Sequence, residues 1–336
     1  MTTTETEPVP QASPPRRFSL GRYQDLALVP AIVVLLIVGA IVSPIFLSAD
    51  NLIAVVQQQS ELSLLVLGQA LILIVGKMDL SLESTIGIAP ALAIALVIPA
   101  ASNGLGVELG AWTAIPVCLL VGAAIGGFNG FLILKLGLSG FMVTLGMLTM
   151  LRGLQEALTK GQTLFDVPES FLYLGAATWL GLPAAVWICV LLFALGIFAL
   201  SYLRQGRALY AVGGNKEAAR AAGIRVDRVV WVVLILGGLL AAVAGILMTG
   251  RLGTVAVTQG SGMIFKVFAA AVIGGISLQG GRGTLFGALS GVLMLGLVEN
   301  ILRLLSVSGF YINASYGAVI IVALIVTRFA TGKVQE

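Results

Sequence analysis

VVWVVLILGGLLAAVAGILMT, residues 229–249, runs for 21 residues with no charge and no proline. An α-helix needs ~20 apolar residues to cross a bilayer core about 30 Å thick, and inside that core each backbone N–H and C=O must find its partner within the protein. A helix meets both demands, so the stretch reads as a membrane span. Comparable stretches recur at 26–46, 60–76, 84–101, 113–134, 138–158, 184–203, 264–279, 284–305 and 310–327. The second and eighth spans in chain order, 60–76 and 264–279, are short and are expected to be tilted, broken or partly re-entrant. Residues 47–59 read as a short surface helix. The fold class is all-α and polytopic, with about ten transmembrane helices and a range of eight to ten.

The rest of the chain has the same character. Hydrophobic residues make up 58%, charged residues 10%, and 42 of the 336 residues are glycine. Soluble domains carry about 25% charged residues and roughly 7% glycine. Surplus glycine suits membrane helices, whose close approach depends on small side chains. No histidine is present, which excludes His metal ligands, His bases and His proton relays. Cys118 and Cys189 fall in apolar stretches at no metal-ligand spacing and read as small core residues. Neither a metal site nor a catalytic residue is expected. The net charge of +4 points to orienting signals rather than to nucleic acid.

Residues 1–24 are polar and contain Pro8, Pro10, Pro14 and Pro15, the composition of a disordered tail. The apolar run behind them is too long for a signal-peptide core and lacks a small-residue cleavage site, so it is read as an anchor. The transmembrane domain is taken as 25–328, with a second tail at 329–336.

Orientation follows from the basic residues. With the N-terminus in the cytoplasm and all ten spans crossing, cytoplasmic segments hold 14 of the 19 Lys and Arg. External loops hold Lys160 and Arg251, and Arg152, Lys266 and Arg303 fall within or at the ends of spans. That bias puts both termini in the cytoplasm.

It also puts there the one densely charged, water-loving interruption, GGNKEAARAAGIRVDR, residues 213–228. Asn215 is suited to cap a helix, Lys216 to Ala222 reads as a short Ala-rich helix, and Gly223 is suited to end it. So short a helix is marginal alone, since ~12–15 residues are needed even for good formers. One reading is a solvated loop that merely carries positive charge. The other is a docking element, in which Ala218, Ala219, Ala221 and Ala222 allow close approach and Lys216, Glu217 and Arg220 orient a partner. The chain encodes no nucleotide motor of its own. A P-loop needs Gly, four residues, then Gly-Lys-Ser/Thr, whereas Gly76-Lys77 is followed by Met78 and position 71 is leucine; Gly332-Lys333 fails as well. QGGRG, 279–283, lacks the P-loop lysine and reads as a tight cytoplasmic turn.

GRALYAVGGNKEAARAAGI, 206–224, resembles the cytoplasmic signature loop of ABC-importer permeases for simple sugars, the ribose, xylose, arabinose and galactose class. Four further stretches agree in order: DLS at 79–81, GGFNGFLI at 126–133, FMVTLG with RGL between 141 and 154, and VIGGISLQGGRGTLFGALSG at 272–291. The resemblance covers roughly residues 50 to 326. It implies an ABC-importer permease fold, no cofactor in this chain, and ATP bound by a separate ATPase subunit. It also implies an external or periplasmic sugar-binding protein, and a second permease copy or a paralogue, in a bacterial inner membrane. The loop 204–228 is then the ATPase-docking loop. Its candidate residues are Gly206, Arg207, Tyr210, Val212, Gly213, Gly214, Asn215, Lys216, Glu217, Ala218, Ala219, Arg220, Ala222, Gly223 and Ile224. Lys77 and Glu83 stand where that family usually has glycine, and they put two charges beside Asp79.

Asp79 has two readings. It caps the helix that begins near Leu80 or pairs with Lys77, or it lines a translocation path with Ser81 and Ser84; Asn129 and Thr144 complete the candidate path. Arg152 and Glu156, like Glu299 and Arg303, are four apart and suited to pair on one helix face. Glu61 and Lys266 have no evident local partner. Gly122, Gly126 and Gly130 make one smooth face, as do Gly283, Gly287 and Gly291, for packing within the chain or at a subunit interface. Nucleoside and branched-chain amino-acid permeases are the runner-up readings. An ion-coupled transporter using Asp79 and Glu61 is a more distant one, and no nucleophile–base pair supports an intramembrane enzyme.

Overall fold

The computed structural model describes residues 28–318 and 321. The two expected tails and the end of the tenth span lie outside the described residues. Within them the regular secondary structure is helical apart from a small hairpin, β1 (Thr178–Trp179) and β2 (Leu182–Pro183), and one isolated bridge. The helices are α1 (Val29–Val42), α2 (Ala49–Ile74), α3 (Leu82–Val97), α4 (Ala114–Leu134), α5 (Gly140–Leu158), α6 (Glu169–Ala176), α7 (Ala184–Tyr202), α8 (Arg204–Gly214), α9 (Lys216–Ala221), α10 (Val226–Leu252), α11 (Met263–Ile273) and α12 (Leu285–Leu304). Residues 309–318 are helical again. α4 with the 3-10 turn before it, α7, α10 and α12 are each long and apolar enough to cross a membrane.

Residues 229–249 form the body of α10, the centre of the bundle. It packs against α2, α3, α4 and α6. Gly122, Gly126 and Gly130 bring α4 onto it: a Cβ at Gly122 would lie 2.4 Å from the Gly238 carbonyl oxygen, and one at Gly126 would lie 2.2 Å from that of Leu234. Gly130 makes room for the Trp231 ring. This face is an intrachain seam. Gly287 and Gly291 of α12 likewise meet Gly274 and Ala270 at α11. Gly283 does not share their helical face, because it precedes α12 and turns the chain at φ +121°.

The expected surface helix at 47–59 is instead the first half of α2, which runs unbroken for 26 residues. Nothing between Ala49 and Gln59 breaks a helix, and two of its polar side chains, Asn51 and Gln57, find partners on other elements. Ser48 Oγ caps the Asn51 amide, Asn51 exchanges hydrogen bonds with Asn300, and Gln57 donates to the Gly175 carbonyl. From Gln59 to Val75 nearly every residue is buried, so the helix needs no polar face.

The break expected in 60–76 does not occur, since that span is the buried second half of unbroken α2; among the described residues the third and eighth spans are the short ones. α3 has 16 residues and α11 only 11, and 11 residues rise about 16 Å, roughly half of a bilayer core. The segment before α11 turns back into the bundle. Gln259 is 3% exposed and donates to the Ile86 carbonyl and to Thr249 Oγ1, both at 3.0 Å. Gly260, at φ +85°, is pressed so close to α3 that a Cβ would lie 2.3 Å from the Glu83 carbonyl oxygen. Ser84 in the first turn of α3 donates to the Leu148 carbonyl of α5, eight residues or about 12 Å into that helix. Both short helices therefore begin inside the bundle, where non-helical backbone is tolerated because protein surrounds it.

The connections alternate between two ends. Lys77, Gly213 and the turn at 279–283 meet at one end, where Gly281 N donates to the Ile74 carbonyl at 2.8 Å. At the other end Leu164 and Val255 form a bridge, Asn103 donates to Gln162, and Ser170 donates to the Ala111 carbonyl.

Candidate functional site

The conspicuous polar surface is built at the first of these ends. α7 stops at Tyr202, and α8 and α9 turn the chain across the helix ends before α10 begins. Gly213 makes that crossing tight. A Cβ there would lie 1.8 Å from the Ile74 carbonyl oxygen and 2.5 Å from the Gly281 amide. Gly280 abuts Gly76, Gly281 abuts Gly214, and Tyr210 donates to the Gly283 carbonyl at 2.8 Å. α8 is thus fastened to the end of α2 and to the turn before α12. Val212 is fully buried beneath it, with Gly206 and Leu209 buried on the same helix.

α9 hangs from this clamp. Asn215 Oδ1 accepts from the Ala218 amide at 2.9 Å and caps the helix. Gly223, at φ +80°, ends it, and the Ile224 amide returns to the Ala219 carbonyl. The alanines do not share one face. Ala219 is 3% exposed and packs into the core, whereas Ala218, Ala221 and Ala222 face outward. Ala219 is therefore an anchor and not part of an open docking face. The outer face also carries Lys216, Glu217 and Arg220, and Arg220 pairs with Glu217 at 3.1 Å and Asp227 at 3.7 Å. Arg207 is exposed nearby. Behind α9 lies the half-buried Lys77; burial and the neighbouring Lys216 push its pKa down, while Asp227 opposes them.

Asp79 takes Ser81 and Asn129 as partners, not Lys77. Its Oδ1 accepts from Ser81 N at 2.8 Å and Ser81 Oγ at 2.6 Å, and Asn129 Nδ2 donates to Asp79 Oδ2 at 3.2 Å and to Ser81 Oγ at 2.8 Å. Asp79, Ser81, Ser84, Asn129 and Thr144 are all fully buried. Asp79, Ser81 and Asn129 thus hold the chain that climbs into the bundle before α3. Ser84 is bonded to α5, and Thr144 is turned back on its own helix toward the Gly140 carbonyl. In this conformation none of the five faces open space.

Among the described residues, the remaining buried carboxylates are paired across helices. Arg152 meets Glu83 at 3.4 Å and donates to the Gln259 carbonyl at 2.7 Å, rather than pairing with Glu156. Glu83 Oε2 also accepts the Ile264 amide at 3.1 Å, so one carboxylate caps the broken helix α11 and neutralises α5. Gln155 adds bonds to the Ala256 and Val257 carbonyls. Glu61 takes Arg251 in a two-pronged contact, at 2.6 and 2.9 Å. Glu299 meets Arg303, Lys266 and the Tyr316 hydroxyl. Glu83 had a signal in the sequence, a charge where a glycine is usual in the family; Gln259 had none. Among the described residues no group of three His, Cys, Asp or Glu is placed to hold a metal, and Cys118 and Cys189 are buried and unlinked.

Residues 51–327 match the family model described as branched-chain amino acid transport system / permease component. The chain is 31% identical over 322 residues to the ribose import permease protein RbsC of Haemophilus influenzae, covering 94% of this chain and 97% of that one. It is 33% identical over 321 residues to the L-arabinose transport system permease protein AraH of Escherichia coli, 94% of each. It is 33% identical over 311 residues to the autoinducer 2 import system permease protein LsrC of an Enterobacter species, covering 91% and 87%. With a helical membrane bundle, a clamped surface helix and this match over most of its length, the chain belongs to the branched-chain amino acid transport system / permease component family, among its simple-sugar ABC-importer permeases.

Proposed function

We propose that this chain is the membrane-spanning subunit of an ATP-driven importer for a monosaccharide or related polyol, working in a bacterial inner membrane with both termini in the cytoplasm. The observation that carries the coupling half of this reading is the fastening of α8 and α9 to α2 and to the turn before α12. A force applied to α9 by a separate, ATP-binding subunit reaches membrane helices through backbone-to-backbone contacts, with little slack to absorb it. The similarity to permeases named for ribose and arabinose supports the sugar half.

Two copies would enclose the path, and an external binding protein would deliver the sugar to it. The outward face of α5 suits such a pairing: Gly146 and Gly153 have open space above them, beside exposed Met142, Thr149 and Met150. The closed Asp79–Ser81–Asn129 cluster would line a path only when α3, α4 and α5 part. Alternating access needs two packings of the bundle whose balance ATP shifts.

Proteoliposomes holding this chain with its ATPase and binding protein test the proposal. Uptake of a labelled pentose or hexose should require internal ATP and persist when a proton uncoupler is added. Uptake driven by a proton gradient without ATP would overturn the ATP-driven reading. Transport confined to nucleosides or branched-chain amino acids would replace the sugar.

A further inference from the structure

A cleft of about 880 Å³ opens between α7 and α10, with α8 as its floor. Small-molecule sites span about 300–1,000 Å³, so the space is large enough for a whole ligand. Leu67 and Leu71 of α2 close the back, and Leu195, Val232 and Leu236 stand at the rim, 41–54% exposed. The lining is apolar except at one end, the end that carries the α8–α9 surface. There Arg225 and Arg228 line the cleft with Gln205. Both arginines are exposed, and neither has an ion pair or side-chain hydrogen bond among the described residues; the acidic Asp227 between them turns to Arg220. Two unpaired guanidinium groups at the mouth of an apolar cleft attract an anion that brings its own hydrocarbon.

We propose that the cleft seats an anionic glycerophospholipid of the adjacent leaflet, with its acyl chains between α7 and α10 and its headgroup on Arg225 and Arg228. Basic pockets between membrane helices on the cytoplasmic side hold anionic headgroups by this combination. A second protein copy suits the site less well, since an apolar helix face would fill the cleft and leave two arginines uncompensated. The lipid would bridge α7, α8 and the start of α10, the elements on either side of α9. It would stabilise the state it binds by mass action, which makes the docking surface sensitive to membrane charge. This reading is independent of the transported substrate.

Purified full-length chain, stripped of lipid and offered equimolar phosphatidylglycerol and phosphatidylcholine, can be weighed intact by native mass spectrometry. The wild type should retain phosphatidylglycerol preferentially. Arg225→Gln with Arg228→Gln should reduce that preference roughly 30-fold, two basic residues each contributing about 1 kcal/mol at a membrane surface. Leu236→Trp, which fills the rim, should reduce retention of both lipids. Lys135→Gln, a basic residue off the cleft, should change neither. Equal retention of the two lipids by the wild type, or an unchanged preference in the double arginine variant, would overturn the proposal. So would efficient disulfide linkage of two copies through Val232→Cys, which would make the cleft a protein interface.

Discussion

Ala219→Trp and Ala218→Trp should fail in different places. Ala219 is buried in the same core cluster as Val212 and Val226, so the larger side chain there overfills a closed space, at a cost of about 1–3 kcal/mol or more. Abundance and thermal midpoint should fall. Ala218 is exposed, so the same substitution should leave the midpoint alone and weaken ATPase co-purification, about 5- to 150-fold if a fitted contact loses the same energy. Wild-type co-purification and wild-type sugar-stimulated hydrolysis in Ala218→Trp would leave α9 a solvated loop. The ends of this helix were legible because capping is local: Asn215 bonds three residues ahead, and Gly223 turns the next bond. Which alanine points inward was not legible. A six-residue helix is under two turns, too short for periodicity to mark a face. Asp79 was readable only as a choice, because its partner Asn129 lies fifty positions away.

At the scale of elements, the long apolar spans follow from composition alone, since a bilayer leaves an apolar stretch of that length one stable conformation. What broke that rule was tertiary. α2 absorbs a polar stretch because Asn51 and Gln57 find partners on other elements. α11 stops short because Gln259 and Gly260 hold the preceding turn inside the bundle. Four-residue spacing found the Glu299–Arg303 pair, yet it also suggested Arg152–Glu156, and there the buried Glu83 is the partner. Glu83 joins α3, α5 and α11 at one carboxylate, so its loss should exceed that of a surface pair. Glu83→Ala leaves Arg152 with the neutral Gln259 carbonyl but no counter-charge, and strips the Ile264 amide of its carboxylate cap. Breaking a buried pair costs about 3–5 kcal/mol, and the thermal midpoint in detergent should drop accordingly. Glu83→Leu combined with Arg152→Met should recover much of the loss, because neither charge then remains stranded. A Glu83→Ala protein as stable as the wild type would mean that α11 is held by packing alone.

For the whole molecule, the distribution of basic residues between the two ends sets which one faces the cytoplasm. Lys77, Arg204, Arg207, Lys216, Arg220, Arg225, Arg228 and Arg282 all fall on connections at the end that carries α9, whereas Lys160 and Arg251 belong to the other. Basic residues resist translocation, so the first end should be inside. The fold makes this testable at two exposed positions, one in each set of connections. Asn215 caps α9, and Asp166 lies between the Leu164 bridge and α6. Cys118 and Cys189 are both buried and unlinked, so a background lacking them is the natural starting point. In intact cells an impermeant thiol reagent should label Asp166→Cys and spare Asn215→Cys, and permeabilised cells should label both. The reverse pattern would put α9 outside, beyond the reach of any cytoplasmic ATPase. It would remove the coupling mechanism while leaving the bundle, its buried ion pairs and its family membership as they are.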